Sequence, residues 1–366
     1  MARKLFIAAT GQHCGKTTIS LSLLHLARKK YARVGFIKPL GPKPVLLNGV
    51  PADKDAALMA QILGHEEWIR QMSPLVLQPG DTQKVLRKEL DVTTMQKQIC
   101  DACAQLEKES DFLIIEGAGH CGVGSVLGMS NAKMAKMLDA PVLMVSGGGV
   151  GNVIDSVHLN LALFEQEQAN VGALLVNKIV PDKREMVLDL LQRGFVEHPF
   201  KVLGGFNYQP ILANPTMRRV AKILDLEIQG DQDSVDRIVH NVQVGAASTQ
   251  RVTELLEDST LAIVTSSRDE LLVTLSVMYQ MPEYRSKIAG LLIPGKQPVG
   301  KTTQQIIDNS NIPYMRVVER STSDLYLQIT ADVSKITHED TEKLALIHEL
   351  AEKRFDFEVI EKLFCR

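Results

Sequence analysis

The stretch Ala9–Thr18, ATGQHCGKTT, decides how this chain folds. Before it lies a short apolar run, Lys4–Ala9, which reads as a strand. After it an amphipathic stretch from about Lys16 to Lys30 reads as a helix. A buried strand, a Gly-containing loop ending in GKT and a helix form the setting in which backbone amides cradle a phosphate. The N–H groups from Gly11 to Gly15 can wrap an anion, and the positive end of the helix points at the same spot. Lys16 adds a compact charge for β/γ oxygens, and the Thr17 hydroxyl can complete a Mg²⁺ shell. The candidate nucleotide-contacting residues are thus Thr10, Gly11, Gln12, His13, Cys14, Gly15, Lys16, Thr17 and Thr18. The pattern departs from GxxxxGK[ST] at one place: Thr10 stands where the first glycine is usual, and Gly11 follows it.

Outward from this turn, apolar runs alternate with amphipathic stretches. Arg33–Ile37, Phe112–Ile115, Pro141–Val145 and Val171–Val176 read as strands, continuous enough to be covered on both faces. Helical patterns over Thr93–Glu109, Asn152–Gln168 and Lys183–Phe195 lie between them. Strands separated by helices of this length predict βαβ units and a doubly wound, mainly parallel sheet of the P-loop type, an α/β fold. After Val202–Phe206 the stretch NYQPILANP, rich in Pro and Asn, reads as a linker. A second, smaller α/β series follows. Its strands are expected at Leu261–Thr265, Ile288–Ile293 and Tyr314–Val318, and its helices at Asp269–Gln280, Thr302–Asn309, Glu339–Glu352 and Asp356–Leu363. The expected domains are 1–212 and 213–366.

Magnesium at a nucleotide site wants a carboxylate at the end of a neighbouring strand. FLIIEGAGH, Phe112–His120, supplies Glu116, and Gly117 and Gly119 let the backbone pass close to phosphate. Lys38 ends the strand in GFIKPL, at the face where parallel sheets bind ligands. Asp55, in ADKDAALM, opens a helix and is either a second metal ligand or a helix cap. Asn177 ends the Val171–Val176 strand at the same rim, and its amide suits an adenine edge. The SGGGVGN turn, Ser146–Asn152, lies there too.

A second stretch, GKQPVGKT at Gly295–Thr302, satisfies the phosphate-loop pattern letter for letter. It is ranked below the first because Pro298 removes an N–H in mid-loop and the following helix is short.

Composition bounds the rest. A chain of 366 residues with 45% hydrophobic and 23% charged residues fits two globular domains and excludes a disordered, collagenous or coiled-coil chain. A net charge of −2 gives no field that would recruit nucleic acid or an anionic membrane. No apolar run is long enough to span a bilayer, and the N-terminus lacks a signal-peptide pattern, so a cytoplasmic protein is expected. Cys14, Cys100, Cys103, Cys121 and Cys365 are expected as free thiols. The CxxC at Cys100 and Cys103 falls on a helical pattern and reads as small buried residues. His120 and Cys121 are adjacent and diverge in an extended segment, so they read as loop residues, not a base–nucleophile pair.

Together TGQHCGKTT, FIKPLG, Asp55, IIEGAGH, APVLMVSGGG and LLVNK resemble the dethiobiotin synthetase-like branch of P-loop proteins. The resemblance is closest to the N-terminal half of long bacterial phosphotransacetylases and covers about Ala2–Thr216. The remainder resembles the companion domain known by its DRTGG signature, with AIVTSSRDE, and within it Arg268 and Asp269, at the signature's place. The resemblance implies a dimer that binds ATP and Mg²⁺. It implies Lys16 and Thr17 on phosphates and metal, Asp55 and Glu116 on Mg²⁺, Lys38 on the reacting phosphoryl or carboxyl group, and Asn177 on adenine.

Two positions depart from that family. His13 stands where dethiobiotin synthetases carry an acid, and Pro42 where they carry a hydroxyl. Both face the diamine substrate, so a different substrate is expected. A phosphotransacetylase catalytic domain does not follow within the chain, so acetyl transfer is not expected. Cys365, next to the last residue, cannot sit in the strained elbow an amidoligase glutaminase needs. The expected function is an ATPase or ATP-dependent ligase acting on a small carboxylate or CO₂-derived substrate. The alternative is a nucleotide sensor whose second domain relays the nucleotide state.

Overall fold

The computed structural model describes residues 2–331 and 336–364. The chain divides into two compact units, residues 1–208 with 345–366 and residues 209–344.

In the first unit the buried runs become six strands: β1 (Arg3–Ala9), β2 (Val34–Ile37), β3 (Phe112–Glu116), β4 (Val142–Gly147), β5 (Val171–Asn177) and β6 (Lys201–Gly204). They pair in the order β6-β5-β4-β1-β3-β2, every pair parallel. All five residues of β3 are buried, and so are Leu5 to Ala9 of β1, because helices cover both faces of the sheet. The chain leaves β1 towards β2 on one side and leaves β3 towards β4 on the other. Loops that part in opposite directions open a crevice at the carboxyl ends of β1 and β3, where open parallel sheets bind ligands. Between β2 and β3 lie an antiparallel ribbon, Pro44–Leu47 with Val50–Asp53, and a helix, Lys54–Leu63. Sequence periodicity gives no sign of the ribbon.

The second unit holds a smaller parallel sheet, β7 (Asn241–Val244), β8 (Thr260–Ile263), β9 (Ile288–Pro294) and β10 (Tyr314–Val317), in chain order. Leu271, Leu275, Ile293 and Ile307 pack in one core and Met217, Leu224, Leu292 and Met315 in the other. The short, half-exposed strand β7 escapes a sequence reading because NVQV has too few apolar residues to register.

The last two helices correct the expected division at 213–366. Residues 345–364 group with the first unit. Phe357 packs edge-on against Phe112, Phe355 against Phe206, and His348 stacks on His25 with ring centroids 4.0 Å apart. Glu352 accepts from His25 and Lys29, and Glu361 from Arg3, Lys30 and Tyr31. An amphipathic helix shows that it has a partner, not which one, so sequence order assigned these helices to the wrong body. The helix expected from Asn152 starts at Val150. Cys365 lies outside the described residues. Among those residues no helix is long and apolar enough to cross a membrane.

Candidate nucleotide site at the first strand-to-helix turn

His13 (φ 59°) and Gly15 (φ 93°) both take the left-handed conformation, and the helix Lys16–Arg28 starts at the lysine. Left-handed residues in a turn rotate successive N–H groups into one concavity. Gly15 is required twice over: its φ disfavours a side chain, and a Cβ there would collide with the Asn177 amide. Gly11 is less demanding, since a Cβ there would meet only the Cys14 sulfur at 3.9 Å.

Three buried amides fix the surrounding loops. Asn177 donates from Nδ2 to Cys14 O (3.0 Å) and accepts at Oδ1 from Phe206 N (3.0 Å). Asn160 donates to Thr10 O (3.2 Å) and accepts from Cys121 N (3.0 Å), tying the first turn to the segment after β3. Asn131 holds that segment through Ala118 N, Ala118 O and His120 O. The Thr10 hydroxyl meets Ser146 Oγ at 2.9 Å.

Lys16 reaches across to the loop after β3, its Nζ donating to Gly119 O at 2.7 Å. Burial lowers the pKa of this ammonium, against the pull of the Glu116 carboxylate, and Lys38 lowers it further. Gly119 (φ 56°) turns its carbonyl to receive the bond, and at Gly117 a Cβ would press on Asn131.

Behind Lys16 is a buried ionic cluster. Lys38 follows β2 and is 2% exposed. Its Nζ lies 2.7 Å from Glu116 Oε1, 3.0 Å from Asp55 Oδ2 and 3.3 Å from Gly117 O. Burial by itself would lower the Lys38 pKa, but the Glu116, Asp55 and Asp53 carboxylates outweigh it and the net shift is upward. Glu116 is fully buried, and its other oxygen accepts from Ser20 Oγ at 2.6 Å. Asp55 Oδ1 faces the Thr17 hydroxyl at 3.4 Å. The cap of helix Lys54–Leu63 is Asp53, which accepts from Asp55 N; Asp55 is not the cap but points inward from the first turn. Burial raises the Asp53 pKa, partly offset by Lys38.

The structure therefore brings together Thr10, Lys16, Thr17, Lys38, Asp55, Glu116 and the Gly117–Gly119 loop at one end of the first sheet. Asn177 lies at the same rim, but at 2% exposure it braces Cys14 and Phe206 and presents no open edge. Gln12 and His13 are exposed. Sequence reading missed Ser20, Asp53, Asn131 and Asn160. Ser20 alone left a signal, four residues after Lys16 and so on the same helix face.

The rival loop differs in polarity. Gly295–Gly300 follows β9 and precedes the helix Lys301–Ser310, yet its interior is filled by Arg316. That guanidinium donates to the carbonyls of Ile293 (2.5 Å), Gly295 (2.6 Å), Gln297 (2.6 Å) and Val317 (3.0 Å). Carbonyls that converge on a cation cannot at the same time present amides to a phosphate. Lys301 and Thr302 are exposed. Arg268 serves a neighbouring turn in the same way, donating to Gly245 O and Ala247 O.

The thiols are free among the described residues. Cys103 is buried on the helix Val92–Glu109, and that burial pushes its pKa up to about 11, which suits packing and not redox chemistry. His120 Nδ1 accepts from Gly122 N, and the Cys121 pKa is raised by burial.

Comparison with known proteins agrees with this architecture. Residues 3–227 match the family described as an AAA domain, and residues 219–325 match the DRTGG domain. The chain is 24% identical over 299 residues to the phosphate acetyltransferase of Synechocystis sp., covering 80% of this chain and 42% of that protein. It is 23% identical over 377 residues to the phosphate acetyltransferase of Pseudomonas aeruginosa, covering 98% and 51%. It is 25% identical over 212 residues to the ATP-dependent dethiobiotin synthetase BioD of Methanococcus vannielii, covering 57% and 90%. The chain thus spans about half the length, or less, of the phosphate acetyltransferases it matches. With more than half of its residues matched, and with the parallel sheet and amide-lined turn such a match requires, the chain belongs to the AAA-domain family in its P-loop form, followed by a DRTGG domain.

Proposed function

We propose that this protein binds Mg·ATP at the Ala9–Thr18 turn and transfers its terminal phosphoryl group either to a small carboxylate or CO₂-derived substrate, as an ATP-dependent ligase, or to water, as an ATPase. The observation that carries this reading is the convergence of Lys16, Thr17, Lys38, Asp55 and Glu116 at the carboxyl ends of β1 and β3. In this reading the turn amides hold the β-phosphate and Lys16 leaves Gly119 O for the γ-phosphate oxygens. Asn177 keeps the turn in shape from behind, and an adenine contact by its amide would require the Phe206 segment to part from it.

The donor set suits magnesium. Thr17 Oγ1 and Asp55 Oδ1 are 3.4 Å apart, near the edge of about 3.0 Å between adjacent ligands of a Mg²⁺ octahedron. Among the described residues no group of three or more His, Cys, Asp or Glu side chains is arranged to hold a metal. Mg²⁺ at nucleotide sites is usually bound by one or two protein oxygens and otherwise by phosphate and water. Thr17 and Asp55 would hold it directly and Glu116 through water. When bound, the ion neutralises charge on the transferring phosphoryl group. Lys38 supplies a second positive charge close by, on the side where an acceptor carboxylate would enter.

A second reading is supported by the DRTGG match over residues 219–325 and by His13 and Pro42 at the substrate side. Here the site senses ATP or ADP with little turnover, and the second unit relays the state. A cytoplasmic homodimer belongs to both readings.

Calorimetry with Mg·ATP tests the site: Lys16→Ala should abolish binding with the fold intact, and unchanged affinity would defeat the assignment. Phosphate release with and without small carboxylic acids separates the readings. Stimulated turnover supports the ligase, and tight binding without turnover supports the sensor.

A further inference from the structure

The Lys38 cluster holds more protein partners than a waiting metal site should. All four oxygens of Asp55 and Glu116 face protein groups: Thr17 and Lys38 for Asp55, Lys38 and Ser20 for Glu116. The two carboxylates therefore meet across one ammonium group and not across a gap. Electrostatics require something of the kind. Asp53, Asp55 and Glu116 are each 7% exposed or less, and a buried carboxylate without a partner is strongly unfavourable. Lys38 lies on the side of Asp55 opposite Thr17, so it sets the charge and the geometry that an arriving cation meets.

We propose that Lys38 is the resident counter-ion of this site, and that its ammonium group and a divalent cation compete for the Asp55 and Glu116 carboxylates. Without nucleotide, Lys38 offsets one of the two carboxylate charges and keeps the affinity for free metal low. The phosphates of an arriving nucleotide add the negative charge that lets both cations stay. Metal thus enters with nucleotide and not before it. This rests on the metal role proposed above for Asp55 and Thr17.

The test uses Mn²⁺ without nucleotide, on the full chain. Free Mn²⁺ is counted by electron paramagnetic resonance, and thermal unfolding is followed as MnCl₂ is added. Lys38→Met removes the competing charge, and Lys38→Gln removes the charge but keeps a donor. Both should bind Mn²⁺ about tenfold or more tightly than the parent protein and gain more thermal stability from it. Adding Asp55→Asn to either should cancel the gain. If Lys38→Met folds only with Mn²⁺ present, that dependence supports the proposal equally. Unchanged or weaker Mn²⁺ binding in Lys38→Gln would overturn it, as would a gain that survives Asp55→Asn. Nucleotide enters neither arm, so the outcomes separate. Failure to bind adenylates with the Mn²⁺ gain intact removes the proposed function and leaves Lys38 its role. Normal ATP binding without the gain removes only the latter.

Discussion

The molecule contains two loops ending in GKT, each after a buried parallel strand and each opening a helix, and they do opposite things with their backbones. In Thr10–Thr18 two residues are left-handed, the conformation that favours inward-facing amides, and the lysine reaches across to Gly119 O. In Gly295–Thr302 the Gly295 and Gln297 carbonyls accept from the Arg316 guanidinium, Pro298 lacks an amide proton, and Lys301 is exposed. The loop that satisfies the letter pattern fully is filled by an arginine, and the loop that breaks the pattern at Thr10 is the one proposed above to hold phosphate. Polarity of the backbone, not spelling, makes an anion site.

The largest effect should come from Lys16→Ala, which is expected to weaken Mg·ATP binding by about 100-fold or more, because one charge-assisted contact to phosphate is lost where no water replaces it well. Titration calorimetry reads it, and a loss below threefold would break the contrast between the loops. Gly15→Ala comes next. It forces a left-handed alanine and presses on Asn177, so about 2–4 kcal/mol of stability should go, read by urea unfolding. Its counterpart, Gly300→Ala, sits at φ −55° with Asp269 Oδ1 no closer than 3.5 Å, and should stay within about 0.5 kcal/mol.

Arg316→Met should cost the second unit about 2–3 kcal/mol, since four carbonyls lose a charged donor. It should speed amide exchange across 295–300 and leave ATP affinity alone. An increase in nucleotide binding there would show that the arginine only masks a second cradle.

A smaller effect is tied to pH. Hydrogen bonds from Lys29 and His25 hold the Glu352 carboxyl down to about 2, from an ordinary 4.5. A depressed carboxyl stabilises the native state above its unfolded value and stops doing so as pH falls through the folded one. The contact between helix Thr341–Arg354 and the P-loop helix should therefore loosen between pH 4.5 and 2, read by hydrogen exchange. Glu352→Gln should remove that dependence. Smallest of all, Lys301→Ala should change neither stability nor ATP affinity.

Much of this was legible beforehand, for definite reasons. Strands buried on both faces leave apolar runs, so β1 to β5, β8, β9 and β10 show in the sequence to within a few residues. That Lys16, Thr17 and Glu116 lie at one end of the first sheet was legible because a strand-to-helix turn and a strand-end acid are local features. Less local features escaped. Asp53 and Asp55 are both plausible caps in ADKDAALM, and only the helix start at Lys54 shows which one caps and which one faces Lys38. Asn160 braces Thr10 from 150 positions away, and no spacing rule reaches so far.

The sequence by itself determined the α/β class, the parallel sheets and the place of the first cradle, because burial pattern and turn chemistry act over a few residues. Only the tertiary structure decided that Lys38 sits between Asp55 and Glu116, that Arg316 fills the second loop, and that the last two helices return to the first unit. Each of these is a pairing of charges or faces between distant segments. Such pairings are chosen by the free energy of the whole packed arrangement, in which an uncompensated buried charge or an uncovered apolar face is not tolerated.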